Sequence, residues 1–259
     1  MNLNTRALCL LAGLALSNSA FALPTTWWQP KPGTSWQIQL QGNIDTSHAV
    51  QMYVIDLNDT PQSVIDSLHT RGVKVVCYFG AGSFEDWRTD ASAFPPDVLG
   101  QPLDGWPGER WLDIRRIDVL GPIMAARLDR AKAKGCDAVD PDNVDGYSNT
   151  TGFALTAENQ LYYNQWLAKN AHDRGLAIGL KNDLNQIEQL VAYFDFAINE
   201  QCAQYKECAL LSPFIQAQKP VFQIEYQAKK SSTCATAKSL KFDLIFKRLD
   251  LKSWRRTCS

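Results

Sequence analysis

Carboxylates dominate the residues of this chain that could do chemistry, and they recur at the ends of apolar runs. The densest group is Asp140-Pro141-Asp142-Asn143-Val144-Asp145-Gly146-Tyr147, where three acids follow directly on Cys136-Asp137-Ala138-Val139. Four further runs end in an acid: Tyr53-Val54-Ile55-Asp56, Trp111-Leu112-Asp113, Phe196-Ala197-Ile198-Asn199-Glu200 and Phe222-Gln223-Ile224-Glu225-Tyr226. Ile178-Gly179-Leu180-Lys181-Asn182 ends instead in a base. A parallel α/β protein gathers such strand ends at one rim, where its ligand site lies. A single acid in this position often does no more than cap the next helix or make an ion pair. Asp56, Asp113, Asp140, Asp142, Asp145, Glu200 and Glu225 on one rim exceed what capping requires. Two carboxyls can hydrolyse a glycosidic bond, one protonating the leaving oxygen and the other attacking the anomeric carbon or activating water. Crowded like charges raise one another's pKa, so one member can stay protonated while another is ionised.

Other chemistries find less material. The only histidines are His48, His69 and His172. His69 and His172 precede Gly72 and Gly175 at expected helix ends, where they are read as resting on last-turn carbonyls. His48 precedes a strand, at the rim opposite the acids, so no histidine pair can be assembled. There is no Gly-x-Ser-x-Gly elbow, and no spacing suits zinc. No metal or cofactor is expected. Lys181, at a strand end, could hold a neighbouring carboxylate ionised. Trp28, Trp87, Trp106, Trp111 and Tyr147 are candidate platforms for the apolar faces of sugar rings.

The elements that must position these residues alternate. Trp36 to Leu40, Val50 to Asp56, Val73 to Phe79, Trp111 to Asp113, the run leading to Asp140 and Asp142, Ala177 to Leu180, Asp195 to Asn199, Pro220 to Ile224 and Phe242 to Phe246 read as strands. Helices are predicted from Thr60-Pro61 to about Thr70, from Val119 to Lys134 and from Thr156 to about Arg174, each followed by a glycine. The pattern predicts a single-domain (β/α)8 TIM barrel, which typically takes about 250 residues. It contains one strand too many: either Trp36 to Leu40 is extra, or the short run at Trp111 is not a barrel strand. The long Gly80 to Gly108 segment, with Trp87, Arg88 and Trp106, is expected to be functional.

At the amino terminus a lone Arg6, the apolar Ala7 to Leu16 and Ala20-Phe21-Ala22 predict a signal peptide over residues 1–22, with cleavage after Ala22 and a mature domain over 23–259. This implies a secreted or periplasmic protein without membrane insertion. Export favours disulfides, and spacing suggests Cys202 with Cys208 and Cys234 with Cys258. Cys77 and Cys136, inside apolar runs, are expected to be buried thiols. A formal net charge of -1 offers no basic face for nucleic acid.

Taken together, these stretches resemble glycoside hydrolase family 114, the endo-α-1,4-polygalactosaminidase type, from about Trp27 to Tyr226. The motifs are Tyr53-Val54-Ile55-Asp56-Leu57, Cys77-Tyr78-Phe79-Gly80-Ala81-Gly82-Ser83 with Trp87-Arg88-Thr89-Asp90, Gly108-Glu109-Arg110-Trp111-Leu112-Asp113, Asp140 through Gly146, Gly179-Leu180-Lys181-Asn182, Asn199-Glu200-Gln201-Cys202 and Glu225-Tyr226. The resemblance implies a (β/α)8 barrel that cleaves α-1,4-linked galactosamine polymers internally, with Asp142 as nucleophile and Glu200 as general acid/base of a retaining reaction. An acid-rich rim would also attract a cationic galactosamine-containing polysaccharide. Asp56, Asp113, Asp140, Asp145, Lys181, Glu225, Tyr78, Trp87, Trp111 and Tyr147 are the expected substrate-binding residues. The alternatives are an exported polysaccharide-binding barrel without turnover, or a hydrolase for a different glycan.

Overall fold

The computed structural model describes Met1 and residues 27–258. The expected signal peptide lies outside the described residues, apart from Met1. Eight parallel strands form the main sheet: β1 (Trp36–Gln39), β2 (Met52–Asp56), β3 (Lys74–Gly80), β7 (Ala138–Asp142), β8 (Ala177–Lys181), β9 (Phe196–Glu200), β10 (Val221–Glu225) and β11 (Asp243–Phe246), hydrogen-bonded in that order. The sheet curls into a nearly closed TIM barrel. At the seam, Trp36 Nε1 donates to the Asp243 carbonyl at 2.7 Å, and Lys247 Nζ donates to Gln37 Oε1 at 3.2 Å. Between consecutive strands run the helices α1 (Gln62–Thr70), α2 (Ile117–Ala133), α3 (Ala157–His172), α4 (Ile187–Leu190), α5 (Cys202–Tyr205), α6 (Ser212–Gln216) and α7 (Lys230–Leu240).

The strand in excess is the one at Trp111. It belongs to an antiparallel sheet of β4 (Ser83–Glu85), β6 (Glu109–Leu112) and β5 (Leu99–Pro102), inserted after β3 at the carboxyl rim. Trp36–Gln39 is the first barrel strand.

Alternate strand residues face opposite ways and build two separate cores. Trp36, Ile38, Met52, Val54, Val76, Ala138, Ala177, Phe196, Ile198, Phe222, Ile224 and Ile245 fill the barrel. Their neighbours, among them Tyr53, Ile55, Val75, Cys77, Val139, Ile178 and Leu180, pack outward with the helices. The α3 helix starts as the sequence suggests, with a reciprocal capping box between Thr156 and Asn159.

The disulfides Cys202–Cys208 and Cys234–Cys258 are formed. Cys77 and Cys136 are not thiols but a third disulfide, with Cα atoms 6.0 Å apart. The reason is topological: β3 and β7 are direct neighbours, whereas a barrel strand at Trp111 would have stood between them. The two helix-end histidines also differ from expectation. His69 Nε2 and His172 Nε2 each lie 2.9 Å from a carboxylate, Asp137 and Asp195, not on last-turn carbonyls. Trp27 stacks on His172, and both Trp27 and Gln29 donate to Asp195, so this segment closes the amino-terminal end of the barrel. Trp28 therefore stands at the end opposite the acids. Among the described residues, no helix is long and apolar enough to cross a membrane.

Candidate active site

The two-residue period that fills the barrel continues past its apolar layers and decides which side chains reach the rim. Val76 leads to Tyr78, Ala138 to Asp140 and Asp142, Ala177 to Gly179 and Lys181, Ile198 to Glu200 and Ile224 to Tyr226. Three of these strands stop abruptly: Asn143, Asn182 and Gln201 follow Asp142, Lys181 and Glu200 with φ of 60°, 51° and 67°. A left-handed residue turns the chain out of the sheet and leaves the preceding side chain as the last one facing inward. The turn at Asn143 also needs Gly82, because a Cβ there would stand 1.8 Å from the Asn143 carbonyl oxygen.

Asp142, Lys181 and Glu200 consequently converge. Lys181 Nζ lies 3.2 Å from Asp142 Oδ1 and 3.7 Å from Glu200 Oε2. The two contacted oxygens are thus no more than about 6.9 Å apart. Asp142 also accepts from Tyr78 Oη at 2.8 Å and from the Asn143 N–H at 2.8 Å. Burial alone would raise its pKa, but the Lys181 charge, the Tyr78 hydroxyl and the Asn143 amide outweigh it and hold the carboxyl below its ordinary range. Burial pulls on Lys181 in the opposite sense and is overcome by Asp142, Glu200 and Asp140, which raise its pKa well above normal. Glu200 Oε1 accepts from the Tyr226 hydroxyl. Asp142 therefore has three donors and Glu200 fewer, an asymmetry that favours the charged form of Asp142.

A cleft of 840 Å³ opens over this group, walled by Leu103, Trp106, Trp111, Asp145 and Asn182. Asp145, Asn182 and Glu200 are shared with a 280 Å³ hollow holding Tyr147, Asp183 and Tyr205. Trp106 is shared with a 740 Å³ cleft on the other side, lined by Tyr78, Asp56, Glu85, Trp87 and Glu109. The three hollows adjoin through these shared residues and together make a groove across the rim. Asp145 is half-buried, and desolvation followed by the nearby Asp142 charge pushes its pKa up to about 6.

Of the residues expected at the site, Asp142, Glu200, Lys181, Tyr78, Asp145, Trp87, Trp111 and Tyr147 lie on this groove. Asp56 lies there too, but Arg88 and the Asn58 and Asp59 amides occupy its oxygens. Asp140 is inward-facing but fully buried beneath Asp142, with burial pushing it up to about 7, so it cannot touch a ligand. Asp113 is on the inserted sheet's side, its carboxylate clamped by Arg115 at 2.7 Å and 2.8 Å. Glu225 has the outward parity of its strand and accepts from Gln223 and the Ala203 amide, behind the barrel wall. Sequence reasoning selected Glu225 and passed over Tyr226, which the period from Phe222 and Ile224 would have found. It also passed over Glu85, Glu109, Asn182 and Asp183.

The model of glycoside-hydrolase family GH114 matches residues 17–259, the described barrel and its carboxyl-terminal segment included. The chain belongs to this family. It is therefore a glycoside hydrolase, and the match runs on past Tyr226, where the sequence motifs had stopped. A crystal structure of Aspergillus fumigatus Ega3 in complex with galactosamine is 43% identical, with a TM-score of 0.85 over 89% of this chain and 97% of that one. The glycoside hydrolase domain of PelA from Pseudomonas aeruginosa is 12% identical, with a TM-score of 0.68 over 86% of this chain and 97% of that domain, and shares the fold. No curated protein matches the GH114 chain in sequence.

Proposed function

We propose that this GH114 enzyme is exported and cleaves α-1,4-linked galactosamine-containing polysaccharide internally, with Asp142 as nucleophile and Glu200 as general acid/base. The observation that carries the assignment is Lys181 Nζ standing between two carboxylates at 3.2 Å and 3.7 Å on the rim of a TIM barrel. The 43% identity to a protein crystallised with galactosamine supports the sugar, and the groove open on both sides of the pair suits an internal bond.

In the first step Glu200 gives its proton to the glycosidic oxygen while Asp142 attacks the anomeric carbon, forming a glycosyl ester and releasing the leaving chain. Glu200, now ionised, takes a proton from water, which attacks the same carbon and frees Asp142. Lys181 and Tyr78 favour the charged nucleophile at the start and its return as a leaving group at the end. An oxygen separation of at most about 6.9 Å admits the roughly 5 to 5.5 Å of a retaining pair and leaves out most of the roughly 6.5 to 9.5 Å range of inverting enzymes.

The test is product analysis after incubation with partially deacetylated poly-α-1,4-galactosamine. Short oligomers are expected from the wild type and none from Asp142→Asn or Glu200→Gln. Release of single sugars only would overturn the internal cleavage, and an active Asp142→Asn enzyme would overturn the pair.

A further inference from the structure

Glu225, the last residue of β10, and Tyr226, the next, hold Glu200 from the two faces of the barrel wall. Tyr226, inside, gives its hydroxyl to Glu200 Oε1. Glu225, outside and wholly buried, accepts the Ala203 N–H at 2.8 Å. Ala203 stands in the first turn of α5, a helix of four residues that begins just beyond Glu200 and receives no side-chain cap from Gln201. The free amides of a first turn need acceptors, and here one comes from the neighbouring strand. The other amides of the loop are also held. The Glu200 N–H donates to Asn182 Oδ1 at 3.0 Å, the Gln201 N–H to the Ile224 carbonyl at 2.8 Å and the Cys202 N–H to Asn199 Oδ1 at 3.1 Å. Behind the wall, Gln223 Nε2 donates to Glu225 Oε1 at 2.8 Å and lies 3.7 Å from Cys208 Sγ, which is bonded to Cys202. Disulfide, side-chain amide, carboxylate and Ala203 thus close a ring around the start of α5.

One feature of this ring is not called for by folding. Glu225 Oε2 is buried without a partner, and an unpaired oxygen on a buried acid costs stability. Glu225 comes within 4.8 Å of both sulfurs, but these are bonded to each other and offer no thiolate to a metal. A carboxylate does hold an N–H more tightly than a neutral acceptor can. We propose that Glu225 is a positioning residue for Glu200, fixing through the Ala203 amide the loop from which the acid reaches the glycosidic oxygen. This rests on the reading of Glu200 as general acid given above. Tyr226 sets where the carboxyl points, and Glu225 sets where its backbone stands.

The experiment measures kcat/KM of wild type, Glu225→Gln, Glu225→Ala and Glu200→Gln on two substrates, deacetylated poly-α-1,4-galactosamine and a dinitrophenyl α-glycoside of a galactosamine oligomer. The sugar leaving group of the polymer needs a proton to depart and dinitrophenolate does not, so a displaced acid slows the polymer alone. In Glu225→Gln, kcat/KM on the polymer should fall by about 10-fold, and in Glu225→Ala by about 100-fold, the scale of a misplacement of about 1 Å. Both variants should keep the aryl glycoside close to wild type, which a general loss of structure would not. Should Glu225→Ala unfold, Glu225→Gln alone decides. Equal losses on both substrates, or undiminished polymer cleavage in Glu225→Gln, would overturn the positioning role. If Glu200→Gln itself lost both substrates alike, the reading of Glu200 as the acid would fall, and the proposal with it.

Discussion

Lys181 Nζ lies 3.2 Å from Asp142 Oδ1, and both groups sit where burial alone would discharge them. Their mutual attraction keeps a cation and a carboxylate in the barrel wall, and the 3.7 Å contact with Glu200 ties the second acid to the same charge. In the proposed mechanism Lys181 is a positioning residue for both steps.

Lys181→Met should remove that support while preserving the bulk of the side chain. Asp142 is held below its ordinary range chiefly against burial and chiefly by Lys181, so without it the carboxyl titrates higher. The acidic limb of the pH–rate profile should move to higher pH, with kcat at neutral pH reduced by about 100-fold or more. Breaking a buried pair should also cost about 3 kcal/mol of stability, read by urea unfolding. An unmoved acidic limb would remove Lys181 from this role.

Glu109 makes stability depend on pH in a definite direction. Burial, followed by Glu85 and Asp142, pushes its carboxyl up from 4.5 to about 7. The folded protein then binds this proton more tightly than the unfolded chain. The contribution is fully present below pH 4.5 and is lost as pH rises towards about 7. Relative to Glu109→Gln, the wild type should lose melting temperature across that window and run parallel above it. Arg88, Glu85, Asp142 and Tyr78 face the same group and are present in both proteins, so the comparison isolates Glu109.

The disulfides differ in what they constrain. Cys77–Cys136 closes a separation of 59 residues and ties neighbouring barrel strands, while Cys202–Cys208 closes 6 beside Glu200. Chain-entropy reasoning assigns the longer loop about 4 kcal/mol. Cys77→Ala/Cys136→Ala should lose stability on that scale in urea with kcat unchanged, since Cys77 faces away from the groove, into the outer core. A large fall in kcat with unchanged stability would contradict the placement.

Much of this was legible in the residues because one alternation serves two purposes. The apolar period that fills the barrel at Ala138, Ala177 and Ile198 also aims Asp142, Lys181 and Glu200, so reading the strands meant reading the site. Errors arose where a pattern of types was used in place of that period. Glu225 ends an apolar run as Glu200 does, but it has the opposite parity and lies behind the wall. Asp140 has the right parity one layer too deep. The strand at Trp111 has strand-like residues because it is a strand, of a different sheet, and two apolar residues carry no sign of which sheet they join. Nothing local in Cys77 or Cys136 reveals their bond, which depends on β3 and β7 being neighbours across an insertion. The Glu85 and Glu109 pairing likewise exists only once β4 and β6 have folded against each other.

The central claim is the division of roles between Asp142 and Glu200, and azide rescue tests it most directly. The measurement uses an activated aryl α-glycoside of a galactosamine oligomer with Asp142→Ala and Glu200→Ala, reading the anomeric configuration of the glycosyl azide by NMR. With Glu200→Ala, azide should intercept the ester on Asp142 and give the α-azide. With Asp142→Ala, azide should attack in place of the missing carboxylate and give the β-azide. The reverse pattern would exchange the two roles, and no azide product from either active-site variant would contradict a reaction through a glycosyl ester.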